Sequence, residues 1–192
     1  MYRICIPFIV MITVLQSVKA QDFDESPQEI RMERALEHAG DIGQFIPAAA
    51  SATLMLIHKD DKGFWQFMKG MSANLALTYG LKYAIDKPRP DGATDGKAFP
   101  SGHTSFAFQG ASFLQRRYGW EYGIPAYAIA GFVAYSRIEG LNDRHDVIDV
   151  LGGALVGIGS TYLFTTPYQK EHFELSFSST NQEYMVGLTF KF

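Results

Sequence analysis

The chain has 192 residues, of which 47% are hydrophobic and 19% are charged, and its formal net charge is −3. The length fits one domain, and the composition excludes a disordered chain, a collagen-like repeat and a disulfide-stabilised scaffold. A nucleic-acid-binding protein normally carries a strongly basic patch, so the acidic balance argues against nucleic acid as a partner.

Residues 1–20 have the three-part pattern of a secretory signal peptide. Arg3 provides a cationic start, an apolar run follows, and Val18 and Ala20 stand three and one positions before a cleavage point. A retained N-terminal membrane anchor is the alternative. Cleavage would leave residues 21–192 as a single domain without cysteine, because the only cysteine lies in the signal. We therefore predict an exported protein of a bacterial envelope, periplasmic or membrane-associated, with no disulfide and no thiolate zinc site.

Hydrophobic patterning predicts an all-α fold, a bundle of about five to six helices over residues 28–166. An amphipathic helix is expected over 22–41, and residues 42–58 contain no Lys, Arg, Asp or Glu. Further helices are predicted at about 64–85, 102–117, 122–137 and 147–165. A membrane span needs roughly 20 mostly apolar residues, and only the run 150–169, among those free of these charges, is that long. We therefore expect a compact bundle that associates with a membrane surface rather than a set of spanning helices.

The C-terminal tail, about residues 171–192, has a different pattern. Segments 172–178 and 184–192 are rich in β-forming residues, and the polar segment 178–182 separates them. This arrangement predicts a short β-hairpin. An outer-membrane barrel is the less favoured interpretation, because one hairpin cannot close a barrel.

The first of three motifs in the middle of the chain runs from Lys82 to Pro90. Lys82 is expected near a helix end and Arg89 in an extended segment that Pro88 and Pro90 stiffen. Two cations so placed could hold one phosphoryl group, Arg through a planar fork and Lys as a point charge. An ordinary basic helix end, where cations favour the helix dipole, is the alternative.

The second motif, Pro100-Ser101-Gly102-His103-Thr104-Ser105, lies where a loop turns into a helix. Backbone N–H groups at a helix start are unpaired and bind anions, and Gly102 would let the backbone approach a ligand closely. His103 could exchange a proton near neutral pH. A Ser or Thr helix cap with an incidental histidine is the alternative.

The third motif joins Ser136-Arg137 to His145 and Asp149 across seven intervening residues. We expect His145 to open a helix and, at spacing i, i+4, to share a helix face with Asp149. A carboxylate there could accept the proton of one imidazole nitrogen and leave the other as a nucleophile or base. A helix-start histidine beside a solvated carboxylate is the alternative.

Together the motifs supply two histidines, three cations, a glycine turn and one orienting carboxylate, with no cysteine or tight carboxylate cluster that calls for a metal. This set suits attack by a histidine on a phosphate whose charge is held by Arg, Lys and backbone amides. The order Lys-x6-Arg-Pro, Pro-Ser-Gly-His and Ser-Arg…His-x3-Asp resembles the type-2 phosphatidic acid phosphatase superfamily over residues 82–149.

The resemblance implies a helical-bundle phosphatase of phosphomonoesters or diphosphates that needs no metal and no cofactor. It implies that His145 is the nucleophile and forms a phosphohistidine, that Asp149 orients it and that His103 is the general acid. Phosphate binding would fall to Lys82, Arg89, Ser101, Gly102 and Arg137. A phosphorylated envelope lipid is the expected substrate. Phosphatidic acid, phosphatidylglycerol phosphate, polyprenyl diphosphate and lipid A phosphates are all compatible, and a small soluble phosphomonoester is less favoured.

One departure from the family pattern concerns the third motif, where Arg137 and His145 are two residues further apart than is usual. A loop over residues 139–143 could absorb the insertion while both ends stay in place. Two other interpretations remain open. One is an enzyme like the vanadium-dependent haloperoxidases, which would hold vanadate with the same residues. The other is a non-catalytic envelope protein that binds phosphate or lipid at a broken site.

Overall fold

In a computed structural model of the chain, the structure describes residues 26–90, 96–140, 145–168, 173–180 and 183–190. These residues form six helices and two strands: α1 (Pro27–Gly43), α2 (Ile46–His58), α3 (Asp61–Ile85), α4 (Gly102–Tyr118), α5 (Trp120–Ile138), α6 (Val147–Phe164), β1 (Phe173–Thr180) and β2 (Glu183–Phe190). The predicted all-α bundle with a C-terminal hairpin is therefore confirmed. The predicted signal peptide, and the part of the first predicted helix that precedes residue 26, lie outside the described residues.

The chain divides into two compact units after Arg31. In the first unit, Ser26 and Glu29 cap the start of α1 reciprocally. The Ser26 N–H donates to the Glu29 carboxylate at 2.7 Å, and the Glu29 N–H donates to the Ser26 hydroxyl at 3.3 Å. This capping box, with Pro27 at the first helical position, explains why α1 begins here. A single domain over residues 21–192 stays a prediction.

Local signals also set the boundaries of other helices. Asp60 caps α3, because its carboxylate accepts a hydrogen bond from the Gly63 N–H at 2.8 Å. A single residue, Gly119, separates α4 from α5, and its φ of 108° lies in a region that glycine adopts without strain. α3 ends at Ile85, just before the prolines of the first motif. The predicted helices therefore exist, with ends shifted by a few residues.

α4 is the central helix of the second unit and packs against α2, α3, α5 and α6. Its contact with α5 is built largely from the buried alanines Ala107, Ala111, Ala126 and Ala130. Against α6 the approach is closer still, because Cβ atoms at Gly153 and Gly157 would clash with the carbonyl oxygens of Ser101 and Ser105. Two glycines four residues apart lie on one helix face and let the backbones of α4 and α6 meet. This contact positions the beginnings of both helices.

The hairpin strands pair antiparallel, with Phe173 opposite Phe190 and Thr180 opposite Glu183. The predicted turn over 178–182 is too long, because β1 continues to Thr180 and β2 begins at Glu183. Pairing of backbone groups thus continues through residues whose side chains are typical of a turn.

Two helical stretches in the described part of the chain are long and apolar enough to cross a membrane, Pro27–His58 and Val147–Phe164. On α6, the large apolar side chains of Leu151, Leu155 and Leu163 are 58%, 71% and 72% exposed. Their spacing places them on one face of the helix. An exposed apolar stripe of this kind is typical of a surface that meets a membrane or a partner.

Candidate active site

Side chains from all three motifs line one cavity of about 350 Å³. Six residues predicted for the site contribute to it: Lys82, Arg89, Gly102, His103, Arg137 and His145. The other two, Ser101 and Asp149, are fully buried and do not line it. The cavity therefore lies where the last turns of α3 and α5 meet the beginnings of α4 and α6.

His145 is a buried residue just before α6, and only 6% of its surface is exposed. The prediction that it opens the helix is wrong, because α6 begins at Val147 and Asp146 is its N-cap. The Asp146 carboxylate accepts from the Asp149 N–H at 3.0 Å, and the Asp149 carboxylate accepts from the Asp146 N–H at 3.2 Å. This capping box starts α6 directly after Asp146, so that His145 precedes the helix and Asp149 lies in its first turn.

The environment of His145 disfavours its protonated form. Burial is the largest cause, and the nearby charges of Lys82, Arg89 and His103 add to it, lowering the pKa of His145 to about 3. The imidazole is therefore neutral at physiological pH. Only this form has the free lone pair that a nucleophile needs.

Asp149 is held from two sides inside the protein. Its Oδ1 atom accepts a hydrogen bond from Lys87 Nζ at 2.7 Å, and its Oδ2 atom accepts the Asp146 N–H. His145 Nδ1 lies 3.6 Å from Asp149 Oδ2 and has no hydrogen-bond partner within the described residues. The predicted pair is thus a close approach that a shift of about 0.5 Å would turn into a hydrogen bond.

Lys87 is a cation of the first motif to which the sequence assigned no role. Its ammonium group contacts the carboxylates of both Asp146 and Asp149. Burial alone would lower the pKa of Lys87, but the two carboxylates outweigh this effect and the pKa is raised. Lys87 therefore remains charged and connects the first motif to the third.

The second motif begins α4 at the cavity. Gly102 lines the cavity, whereas Ser101 is fully buried. The Ser101 N–H donates to the Asp149 carbonyl at 2.8 Å, and its hydroxyl accepts from the Thr104 hydroxyl at 3.0 Å. A hydrogen bond from Ser101 to a phosphate would therefore have to use its hydroxyl hydrogen. The start of α4 adds the positive end of a helix dipole to the site.

The last turn of α1 brings a carboxylate, Asp41, to two residues of the cavity. Asp41 Oδ1 accepts from Arg137 Nη1 at 2.8 Å and lies 3.2 Å from His103 Nε2. Arg137 also donates to the Glu37 carbonyl at 2.6 Å and to the Ser136 hydroxyl at 3.2 Å. α1 thus fixes the positions of Arg137 and His103, although no motif includes this helix.

Gly40 makes this contact between α1 and α5 possible. A Cβ atom at this position would clash with the Ser136 hydroxyl and lie 2.8 Å from Arg137 Nη2. The two helices can approach only because position 40 carries no side chain.

The remaining cations of the site come from the first motif. Lys82 lies in the last turn of α3 and donates to the Lys97 carbonyl at 2.7 Å, which links α3 to the segment before the second motif. Arg89 follows α3 and lines the cavity. With Arg137, they surround the cavity with three positive charges. In the described part of the chain, no group of three or more His, Cys, Asp or Glu residues could hold a metal ion.

Comparisons with known proteins find a matching family model and similar bacterial proteins. A family model described as the PAP2 superfamily matches residues 63–173, a range that contains all three motifs. The lipid A 4′-phosphatase of Helicobacter pylori strain J99 is 32% identical over 150 residues, which are 73% of this chain and 74% of that protein. The lipid A 1-phosphatase of the same strain is 28% identical over 154 residues, 76% and 78% of the two chains.

Two solved structures share the fold. LpxE of Aquifex aeolicus matches with a TM-score of 0.58 and 22% identity, over 73% of this chain and 87% of that chain. The transmembrane PAP2-type phosphatidylglycerolphosphate phosphatase of Bacillus subtilis matches with a TM-score of 0.55 and 21% identity, over 83% and 92%. At these identities the similarity concerns the helical fold.

Proposed function

Because the chain belongs to the PAP2 superfamily and is a phosphoric ester hydrolase of that type, we propose that it removes phosphate from a phosphorylated lipid of the bacterial envelope. Lipid A is the first candidate, since two relatives are named lipid A 4′-phosphatase and lipid A 1-phosphatase. The observation that carries the proposal is the cavity lined by two histidines and three cations.

In the proposed reaction, His145 attacks phosphorus through Nε2, the nitrogen that does not face Asp149. The N–P bond forms, the P–O bond to the lipid breaks, and His103 gives a proton to the departing oxygen. Water then attacks the phosphorus of the phosphohistidine and His103 takes a proton from the water. The new P–O bond forms, the N–P bond to His145 breaks, and phosphate leaves. The low pKa of His145, about 3, supports this role because it keeps the imidazole neutral.

The charge of the phosphate would be balanced by Lys82, Arg89, Arg137 and the start of α4. Cations fixed in place before the reaction stabilise the charge that develops in the transition state. They provide the electrostatic stabilisation that a metal ion provides in other phosphatases, so we propose a metal-independent reaction.

An apolar groove supports a lipid substrate over a soluble ester. It has a volume of about 410 Å³ and is lined by residues of α2, α4 and α5. Ile46, the first residue of α2, is one of them. Gln44, two residues before Ile46 in the chain, lines the cavity that contains the histidines. The intervening residue, Phe45, packs edge-on against Phe106 of that cavity, with ring centroids 5.4 Å apart. A lipid could place its phosphate in the cavity and an acyl chain along the groove.

The same proposal places the enzyme at a membrane. The exposed stripe of Leu151, Leu155 and Leu163 on α6 fits contact with lipid. Export to the periplasmic side rests on the predicted signal peptide and is part of the proposal.

The experiment is phosphate release by the full chain, with EDTA present, from lipid A, phosphatidic acid and 4-nitrophenyl phosphate. We expect release from lipid A, and loss of release from every ester in His145→Ala. His38→Ala is the matched control, because His38 is an exposed histidine of α1 that does not line the cavity. No release by the folded wild-type protein, or full activity in His145→Ala, would overturn the proposal. Activity on 4-nitrophenyl phosphate alone would show that the substrate is not a phosphorylated lipid.

A further inference from the structure

The Asp41 carboxylate contacts two residues that line the cavity, and the proposed reaction does not use it. Through one oxygen, Oδ1, it lies 2.8 Å from Arg137 Nη1 and 3.2 Å from His103 Nε2. A carboxylate so close to a phosphate site repels the substrate. We therefore asked which favourable effect of Asp41 on Arg137 or His103 could offset this repulsion.

The contact with His103 determines which ring nitrogen carries the mobile proton. An ionised carboxylate only accepts hydrogen bonds, so the approach of Asp41 favours the form of His103 that carries a hydrogen on Nε2. Nδ1 is then the nitrogen that can give a proton and take one back. We propose that Asp41 is a positioning residue for the general acid: it holds His103 by Nε2 and leaves Nδ1 to serve the leaving oxygen. This inference rests on the proposed function of the cavity.

Arg137 holds Asp41 in the position that this role requires. The Arg137 side chain is only 2% exposed and also binds the Glu37 carbonyl and the Ser136 hydroxyl. Asp41 cannot turn away without leaving a buried cation short of a partner, which is costly. The Asp41 side chain itself is 43% exposed, so replacing its charge leaves no hole in the core.

The proposed role concerns one step of the reaction. As the N–P bond forms at His145 and the P–O bond breaks, the proton on His103 Nδ1 moves to the departing oxygen. A sugar or glycerol alkoxide, as in a lipid phosphate, needs that proton, whereas 4-nitrophenolate is a good leaving group without it. A residue that positions the general acid therefore affects lipid esters selectively. A residue that only supports the fold or the phosphate would affect both esters alike.

The test compares kcat/KM of Asp41→Asn on lipid A and on 4-nitrophenyl phosphate. We expect a decrease of about tenfold or more on lipid A and of less than about threefold on the aryl ester. Asp41→Glu, which keeps the carboxylate, should recover part of the lipid A activity. If Asp41→Asn does not fold, the tautomer of His103 in the wild-type protein decides the inference. Asp61→Asn is the matched control, an exposed carboxylate about 30 Å from Lys82 along α3. Equal losses on the two esters, or no loss on either, would overturn the inference.

A second measurement does not depend on turnover. Nitrogen-15 NMR of histidine-labelled protein, with His103→Gln to assign the signal, should show neutral His103 as the Nε2–H tautomer in the wild-type protein. Asp41→Asn should shift the signal toward a mixture of tautomers. If neither ester is hydrolysed, the proposed function fails. The tautomer of His103 still shows whether Asp41 holds its Nε2–H. A wild-type signal of the Nδ1–H tautomer would overturn the inference.

Discussion

Lys87 Nζ lies 2.7 Å from Asp149 Oδ1, so a cation of the first motif holds the carboxylate of the third. The other oxygen of Asp149 lies 3.6 Å from His145 Nδ1. We therefore expect Lys87, two positions before Arg89, to support the orientation of the proposed nucleophile through Asp149. Because Asp149 is fully buried, its charge relies on this partner.

Replacing Lys87 with methionine should affect both stability and activity. We expect Lys87→Met to lower the free energy of unfolding by about 1–3 kcal/mol, because a buried carboxylate loses a hydrogen-bond donor. The kcat/KM on any phosphate ester should fall by about tenfold or more, since His145 loses its orientation. Lys69→Met, at an exposed position of α3, is the control for removing one positive charge. Unchanged kcat/KM in Lys87→Met would show that the contact between Lys87 and Asp149 does not contribute to the activity.

The low pKa of His145 predicts a loss of stability in acid. The ordinary pKa is 6.5 and the folded value is about 3. Between these values the unfolded chain takes up a proton that the folded chain does not, so stability falls as the pH decreases, by about 1.4 kcal/mol per unit at most. Above pH 6.5 the residue is neutral in both states and contributes nothing. The measurement is the free energy of unfolding of wild type and His145→Gln at pH 7, 6 and 5. Parallel curves for the two proteins would contradict the shift.

Adding one methyl group at Gly40 should separate α1 from the site. In Gly40→Ala the new Cβ clashes with the Ser136 hydroxyl, so α1 must move and carry Asp41 with it. We expect a lower Tm and a lower kcat/KM on lipid A. Gly131→Ala is the matched control, because a Cβ there meets nothing within 4 Å and the helix gains about 0.5–1 kcal/mol. Equal Tm changes in the two variants would show that the α1 contact is not tight.

Filling the apolar groove should select between substrates. Ala50 is exposed and lines the groove, whereas Ala49 is exposed and does not. We expect Ala50→Trp to lower kcat/KM on lipid A by about fivefold, since an acyl chain would lose the burial of one or two methylene groups. Activity on 4-nitrophenyl phosphate, and both activities in Ala49→Trp, should remain. An equal effect of Ala50→Trp on the two esters would place the acyl chain elsewhere.

Features encoded in local sequence could be predicted. Pro88 and Pro90 follow the end of α3 as expected, and the motifs around His103 and His145 supply residues of the cavity. The sequence also contains a signal for the start of α6, because Asp146 followed by Asp149 three residues later is a capping-box pattern. His145 and Asp149, at spacing i, i+4, would share a face only if the helix began before Asp146, and Asp146 is instead its N-cap.

The partners that depend on tertiary packing could not be predicted. Asp41 is one of many charged residues in an amphipathic helix, and only the close approach at Gly40 distinguishes it. Lys87 stands between Lys82 and Arg89, and which of the three cations turns toward Asp149 depends on the path of the chain after α3. Neither choice leaves a periodic signal in the sequence.

The contact of Gly153 and Gly157 with α4 has a consequence for how such a protein can diversify. The relative position of the starts of α4 and α6, next to which His103 and His145 lie, is set by contacts with backbone atoms, which every amino acid shares. The outward face of α6 can therefore change its composition without moving His103 relative to His145. One arrangement of the cavity residues can in this way be inherited unchanged, while the exposed apolar surface of α6 adapts to membranes of different thickness or to differently decorated substrates.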